Sequence, residues 1–460
     1  MTGDLTARIY SGASPEQVAA DLEPLVRFQE EGLSLGEVRD LIDKQLVPHL
    51  GRYELPSFHF LFNSAPEAGA ELGAQIAVSH NQGVTNWQVS PGGAVLEELC
   101  CKALCDLFEL RDGSDATIMY CGTYANQQAL YMALDRHAER RGFSLAESGV
   151  QGFGDPSRLA VLCSADAHFS LKHAVRMLGL GESCLVPVAN DSDCRMDMGA
   201  LREMVREMVR EKREVFCVVV TTGTTSTGAV DPVPPVADMC EELGAWLHVD
   251  GAYGLAYKLV PEWSHLFAGV ERADSITWDP HKQLGVPIPS SVLFVRDPAD
   301  FRRVTLFSSY WNREDAEEPN PGVKSIPTTR PMTALPLVTS IRHQGLTGLV
   351  KRLGAPLDAV KKLAAYIDNE ADLELCHRPD TGILCFRIVP DGVPDSELNG
   401  LQKFVYDTLL NDGERPVSIS QIGDKVVLRL VAIAPGVTCD EMIETISKAR
   451  HAALGREPSS

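Results

Sequence analysis

Asp250 and Lys282 each follow a short apolar run, the first closing WLHVD and the second coming just after ADSITW. They stand 32 residues apart in WLHVDGAYG…ADSITWDPHKQLGVPIPSSVLFV. Taken alone, a lysine after a strand is usually a solvated charge, and an aspartate at a strand end is usually a cap. Here Lys282 enters an apolar, glycine-bearing loop with poor access to water. Burial lowers a lysine's pKa and frees its amine as a nucleophile. Such an amine forms a Schiff base with an aldehyde, and a carboxylate can hold a ring nitrogen protonated so that the ring accepts electrons from a carbanion. A carboxylate and a lysine so placed are what a pyridoxal phosphate enzyme needs.

Other residues fit the same chemistry less specifically. Cys121-Gly122-Thr123-Tyr124-Ala125-Asn126 leads into a helix expected from about Asn126. Glycine allows close backbone approach, and free amides at a helix N-terminus attract phosphate. His168 ends Ala165-Asp166-Ala167-His168, just before the helix SLKHAVRML; a lone histidine is more often a structural hydrogen-bonder. Thr221 opens TTGTTSTG, which by itself is only a polar turn. Arg429 lies inside the strand-like run VVLRLVAIAP. Burying it unpaired costs several kcal/mol, so it needs a partner, either a structural acid or a ligand. Phe60, Phe62 and Trp87 precede the glycine turn and are equally suited to core or pocket.

Asp279-Pro280-His281-Lys282, with HVDGAYG upstream, resembles the cofactor-lysine region of the group II amino-acid decarboxylases. That pyridoxal-phosphate family includes glutamate and aromatic amino-acid decarboxylases. The resemblance runs from near Phe58 to Ile446. It implies Lys282 as the Schiff-base lysine, His281 beside the phosphate and Asp250 on the ring nitrogen, with the small Ala252 against the ring. His168 would stack on the ring and assist proton transfer. Gly122 and Thr123 would form the phosphate turn, although Ala125 stands where several relatives have serine. Thr221 would lie near the ring, Arg429 near the substrate carboxylate, and Phe62 and Trp87 along the substrate pocket.

The implied fold is α/β, of pyridoxal-phosphate fold type I. It has a mainly parallel seven-stranded sheet in a large domain and a small C-terminal α+β domain. The implied activity is a lyase, decarboxylating an L-amino acid or close derivative, in a homodimer with active sites near the subunit boundary. One departure matters. Family decarboxylases carry a loop tyrosine eleven residues before an arginine that matches Arg330, and here that position is Pro319. The nearest tyrosine is Tyr310, nine residues upstream. Because that tyrosine re-protonates the carbanion, its absence opens an alternative: decarboxylation coupled to oxidative deamination, which forms an aldehyde, or another lyase outcome.

The elements that must hold these residues alternate along the chain. Helices are expected at Ala94–Leu110, Asn126–Arg140, Ser170–Leu178 and Pro235–Leu243. Strands are expected at Ala116–Tyr120, Leu159–Ser164, Val215–Thr221, Trp246–Asp250, Ser275–Asp279 and Ser291–Val295. Brief β-branched runs separated by helices indicate a mainly parallel sheet covered on both faces, with ligands at the strand carboxyl ends. Residues 76–345 form this large cofactor-binding domain. Residues 1–75 form an amphipathic helical segment, opened by Ser14-Pro15-Glu16-Gln17 and expected to pack in a dimer. Residues 313–330 are charged and proline-rich, a loop rather than a core element. From 346 to 460 comes the small domain, with Ile383–Val389, Val417–Gln421 and Lys425–Val431 as strands. Its helices are Ser396–Leu410 and Cys439–Arg450, the latter capped by Thr438 with Glu441.

Composition narrows the partners. The chain has 460 residues, 44% apolar, and a net charge of −21, which argues against nucleic acid and anionic membrane surfaces. No run approaches the roughly 20 apolar residues of a membrane span, and no basic-then-apolar leader opens the sequence, so a cytoplasmic protein is expected. The twelve cysteines include no CxxC pair and read as free thiols rather than disulfides or metal ligands. The nearest approach to a dinucleotide fingerprint, LGLGES, lacks its third glycine. A non-catalytic relative would be expected to lose Lys282 or Asp250, and both are present.

Overall fold

Strands buried on both faces read as continuous apolar runs, and this explains the central sheet. It contains β1 (Asp115–Met119), β2 (Leu159–Ser164), β3 (Leu185–Val188), β4 (Glu214–Thr221), β5 (Trp246–Asp250), β6 (Ser275–Trp278) and β7 (Ser291–Val295). In the computed structural model, which describes residues 8–307, 318–434 and 436–455, the strand order is β1-β7-β6-β5-β4-β2-β3. All strands run parallel except β7, which is antiparallel to both β1 and β6. The expected seven-stranded, mainly parallel sheet is therefore present. β3 is a strand that periodicity does not announce: it is short, half-exposed and interrupted by Pro187, all marks of an edge strand.

Register brings the chemistry together. Thr221 lies opposite Asp250, and Asp250 opposite Thr277, so three strands end side by side. The helix Gly122–Arg140 begins four residues before the expected start. Its first turn is closed by Ala125 N–H on the Cys121 carbonyl at 3.1 Å, which turns the glycine turn into the helix terminus itself.

The chain divides into two compact units. One comprises Pro66–Gly354 and His377–Thr381; the other comprises the chain up to Ala65, Ala355–Cys376 and the chain from Gly382. In the second unit β8 (Leu373–Leu375), β9 (Ile383–Ile388), β10 (Ser418–Ile422) and β11 (Lys425–Val431) form an antiparallel sheet in the order β10-β11-β9-β8. Leu384, Phe386, Leu401, Val405, Leu428 and Ile446 form part of its core with the helices Asp395–Asp412 and Cys439–Leu454. Ser14 caps Pro15–Leu22 through the Gln17 amide, and Ser34 and Glu37 form a capping box on Leu35–Leu41. Neither of these two N-terminal helices buries a residue.

In the first unit, residues 318–330 hold only one short 3-10 turn, Pro321–Val323. Yet this proline-rich segment is not peripheral. Arg330 is 4% exposed and donates to Glu97, to the Pro321 and Ile118 carbonyls at 2.6 and 2.7 Å, and to Thr117 Oγ1 at 3.2 Å. None of the twelve cysteines sits in a disulfide, and nine are buried. Burial pushes the Cys163 thiol up to about 12, so it behaves as a small apolar side chain. Among the described residues, no helix is long and apolar enough to cross a membrane.

Candidate active site

A cleft of about 220 Å³ opens at the carboxyl ends of β4, β5 and β6. It is lined by Gly122, Thr123, His168, Thr221, Asp250, Ala252, His281 and Lys282, the eight residues that the sequence singles out for cofactor chemistry. Cys121, Asn126, Gly223, Thr225, Tyr253 and Asp279 line it as well.

Lys282 Nζ lies 3.3 Å from Asp279 Oδ2, and His281 Nε2 lies 3.8 Å from the same oxygen. His281 Nδ1 bonds the Ser290 carbonyl, which sets its ring orientation. Asp279 is 4% exposed, its Oδ1 has no hydrogen-bond partner, and it packs against Gly122. A Cβ on Gly122 would stand 2.9 Å from Asp279 Oδ2, so a side chain there would force the Asp279 carboxylate to shift. Asp279 belongs to the tetrapeptide that marks the lysine, and sequence reasoning gave it no role.

Asp250 is 4% exposed. Its Oδ1 accepts the Ala252 N–H at 3.2 Å, and its Oδ2 accepts the Asn126 amide at 2.8 Å. His168 Nδ1 accepts the Ser170 N–H at 3.2 Å, which places the proton of the neutral ring on Nε2. Burial holds its pKa below the ordinary histidine value, outweighing the opposing pull of Asp250 and Asp279. Phe169 packs on that imidazole with ring centroids 4.0 Å apart. Thr221 presents a buried Oγ1 without a partner, while its N–H is held by Asp231 at 2.7 Å. Burial drives the Asp231 carboxyl up to about 7 despite two backbone donors.

The helix Gly122–Arg140 has no side-chain cap, so its first amides face the cleft end unengaged by any capping side chain. The donor set therefore fits pyridoxal phosphate. Uncapped amides and the Thr123 hydroxyl suit a phosphate, Asp250 a ring nitrogen and Lys282 an aldehyde. Thr221 Oγ1 is a buried polar atom still without a partner.

The remaining expected residues lie elsewhere. Trp87 does not line the cleft; it is 42% exposed, and its backbone N–H donates to the Pro319 carbonyl at 3.0 Å. Phe62 and Arg429 belong to the second unit, where the guanidinium lies 5.3 Å over the Phe62 ring and Nε donates to Ser418 Oγ at 2.8 Å. There Arg429 is held partly by a hydroxyl and an aromatic face, a pairing that a search for an acid would miss. Phe60 is 5% exposed and packs on Phe58. Tyr310 lies outside the described residues.

Comparison with known proteins identifies the family. The family model described as "Pyridoxal-dependent decarboxylase conserved domain" matches residues 15–389. L-2,4-diaminobutyrate decarboxylase of Rhizobium meliloti (strain 1021) is 30% identical over 436 residues, covering 94% of this chain and 85% of that protein. Aromatic-L-amino-acid decarboxylase of Bacillus atrophaeus is 26% identical, covering 94% and 87%. In fold, the chain is similar to the glutamate decarboxylase domain of diaminobutyrate-pyruvate transaminase and L-2,4-diaminobutyrate decarboxylase from Vibrio parahaemolyticus. The TM-score there is 0.87 at 24% identity, covering 98% of this chain and 91% of that one. With the match spanning most of its length, this chain belongs to the pyridoxal-dependent decarboxylase family.

Proposed function

We propose that this pyridoxal-phosphate-dependent amino-acid decarboxylase, a carboxy-lyase, holds its cofactor in the cleft at the ends of β4, β5 and β6, with Lys282 as the carrying amine. The observation that supports this most directly is the convergence of Lys282, Asp250, His168 and the uncapped helix terminus at Gly122 on one cleft. When bound, the cofactor supplies a carbonyl for the substrate amine and a protonated ring that accepts the electron pair left by departing carbon dioxide. The amides of Gly122 and Thr123, with the Thr123 hydroxyl and His281, would take the phosphate. Asp250 would hold the ring nitrogen's proton, Thr221 would lie beside the ring, and Ala252 leaves room for it. His168 carries its proton on Nε2 and can donate it toward the reacting face.

On the substrate side, Arg429 is proposed as a contact for the substrate carboxylate, with Phe62 and Trp87 as proposed pocket residues. The substrate is an L-amino acid or close derivative. The R. meliloti relative is named for L-2,4-diaminobutyrate, which makes that compound the first to test. Each curated relative above is named as a decarboxylase, which favours amine over aldehyde as the product.

We also propose a homodimer working in the cytoplasm. Val26, Phe28 and Leu35 are 62%, 95% and 88% exposed on an N-terminal segment whose helices bury nothing, which suits cover by a second copy. Buried free thiols suit a reducing compartment.

The deciding experiment is incubation of the purified protein, cofactor supplied, with the twenty amino acids and L-2,4-diaminobutyrate. Amine, aldehyde and peroxide are followed together, beside Lys282→Ala. Expected are visible absorbance, stoichiometric amine and carbon dioxide from one substrate class, and loss of both colour and turnover in Lys282→Ala. A wild type that stays colourless and unreactive to borohydride would overturn the assignment. A fully active monomer by light scattering would overturn the dimer.

A further inference from the structure

Trp246, His248 and Asp250 alternate on β5 and so face one side of the sheet. Register sets Ser275 of β6 beside His248, and the helix Gly122–Arg140 brings Asn126 to the same place. Asn126, His248 and Ser275 are each at most 1% exposed. Their hydrogen bonds run without a gap. Trp246 Nε1 lies 2.8 Å from Ser275 Oγ, and Ser275 Oγ 2.8 Å from His248 Nδ1. His248 Nε2 lies 3.0 Å from Asn126 Oδ1, and Asn126 Nδ2 2.8 Å from Asp250 Oδ2. A second Nδ2 proton reaches Ser170 Oγ at 2.9 Å.

The direction of every link can be worked out. A carboxylate only accepts, so the NH₂ of Asn126 must face Asp250 and its Oδ1 must face His248. His248 Nε2 therefore carries a proton. Burial holds this imidazole neutral, so Nδ1 is a lone pair and accepts from Ser275. The Ser275 oxygen in turn accepts from the indole, which can only donate. Every link donates toward Asp250. An unbroken chain of one polarity, built on the edge of a binding cleft, is more than filler for a buried polar gap.

We propose that Asn126 and His248 are positioning residues for Asp250, fixing one carboxylate oxygen so that the carboxylate meets the cofactor's ring nitrogen in a single orientation. This rests on the proposed contact between Asp250 and that nitrogen. Neither residue needs to touch the reacting atoms. Their effect is selective: it reaches the cofactor only through the ring nitrogen, not through phosphate or aldehyde.

The test uses the full chain stripped of cofactor. It is titrated with pyridoxal phosphate and, separately, with the 1-deaza analogue, in which C–H replaces the ring nitrogen. Binding is read by visible absorbance and tryptophan fluorescence, and thermal unfolding of the unliganded variants reports their fold. Wild type is expected to prefer pyridoxal phosphate. Asn126→Leu should weaken pyridoxal phosphate by about 10- to 100-fold and the analogue by less than about threefold, as removal of a bond to a charged group implies. His248→Phe should act in the same direction with a smaller effect, and it decides the matter if Asn126→Leu fails to fold. Equal losses for both ligands, or unchanged pyridoxal phosphate binding in a folded variant, would overturn the positioning role while leaving the site assignment intact. A wild type that binds both ligands equally would remove the contact between Asp250 and the nitrogen, and this proposal with it.

Discussion

Replacing Arg330 with methionine keeps the volume of the stem and removes a cation buried to 4% exposure. Its partner Glu97 is 2% exposed, and apart from Arg330 it is met by the Ile118 N–H at 3.3 Å, while its Oε2 lacks a partner. Burial already pushes the Glu97 carboxyl upward, with Arg330 opposing the shift. Breaking a buried pair on one side typically costs about 3–5 kcal/mol, because a desolvated charge is left uncompensated. The bonds to Pro321, Thr117 and Ile118, which tie the 318–330 segment to β1, go as well. At about 2 °C per kcal/mol or slightly less for a unit of close to 300 residues, the melting temperature should fall by roughly 5–10 °C. The double variant Arg330→Met/Glu97→Met removes both charges and should regain most of the loss, since apolar replacement of a whole buried pair is often neutral or better. Differential scanning fluorimetry at one fixed scan rate compares the three proteins. A single variant within about 2 °C of wild type, or a double variant as unstable as the single, would refute the reasoning.

Gly122→Ala places a Cβ 2.9 Å from Asp279 Oδ2 and should weaken pyridoxal phosphate binding by at least severalfold in a fluorescence titration; unchanged affinity would remove the packing argument. Asp279→Asn removes a carboxylate from beside the Gly122 turn, so if that turn takes the phosphate, inorganic phosphate should bind the cofactor-free protein more tightly by calorimetry, and weaker binding would count against that assignment. His59 and His248 are held neutral at about 4 by burial, against an ordinary 6.5. Their contribution is present above 6.5 and lost as pH falls toward 4, on the order of 3 kcal/mol each. His59→Gln should therefore flatten the acid limb of a urea-midpoint profile, and a limb as steep as wild type's would refute this. Asp231, raised to about 7 from an ordinary 3.8, works in the opposite sense: its contribution is present below about 4 and lost as pH rises to 7, so Asp231→Asn should hold stability better between pH 4 and 7 in the same profile.

The sequence marks the strands buried on both faces almost to the residue: Leu159–Ser164, Trp246–Asp250 and Ser291–Val295 are each found as expected. It is weakest where an element is defined by a neighbour rather than by its own pattern. β3 carries one buried residue in four, so no periodicity reveals it. Helix Gly122–Arg140 starts early because glycine, a poor helix former, is tolerated at a terminus. Within the site, Lys282, His281, Asp250 and Gly122 stand in short motifs whose meaning is local. Asn126 escapes because its partners Asp250 and His248 lie more than a hundred residues away, and only the fold brings them together. Arg330 misleads in the opposite way. Its surroundings are prolines and charges, yet three carbonyl and hydroxyl acceptors and a buried glutamate draw it inside.

The reversed strand β7 also sets an order of assembly. β6 and β7 are joined by residues 279–290 alone, so the segment that carries Lys282 is the loop of a hairpin and can form from local contacts. β1 has the opposite problem. It sits at the sheet edge with β7 as its neighbour, and Asp115 must wait for Val295. During synthesis, the strand that leads into the turn at Gly122 emerges early and stays unpaired until nearly the whole sheet has left the ribosome. Chains stopped before Ser291 would leave that apolar edge open to other chains, a hazard that a chaperone or fast translation through residues 115–295 would limit.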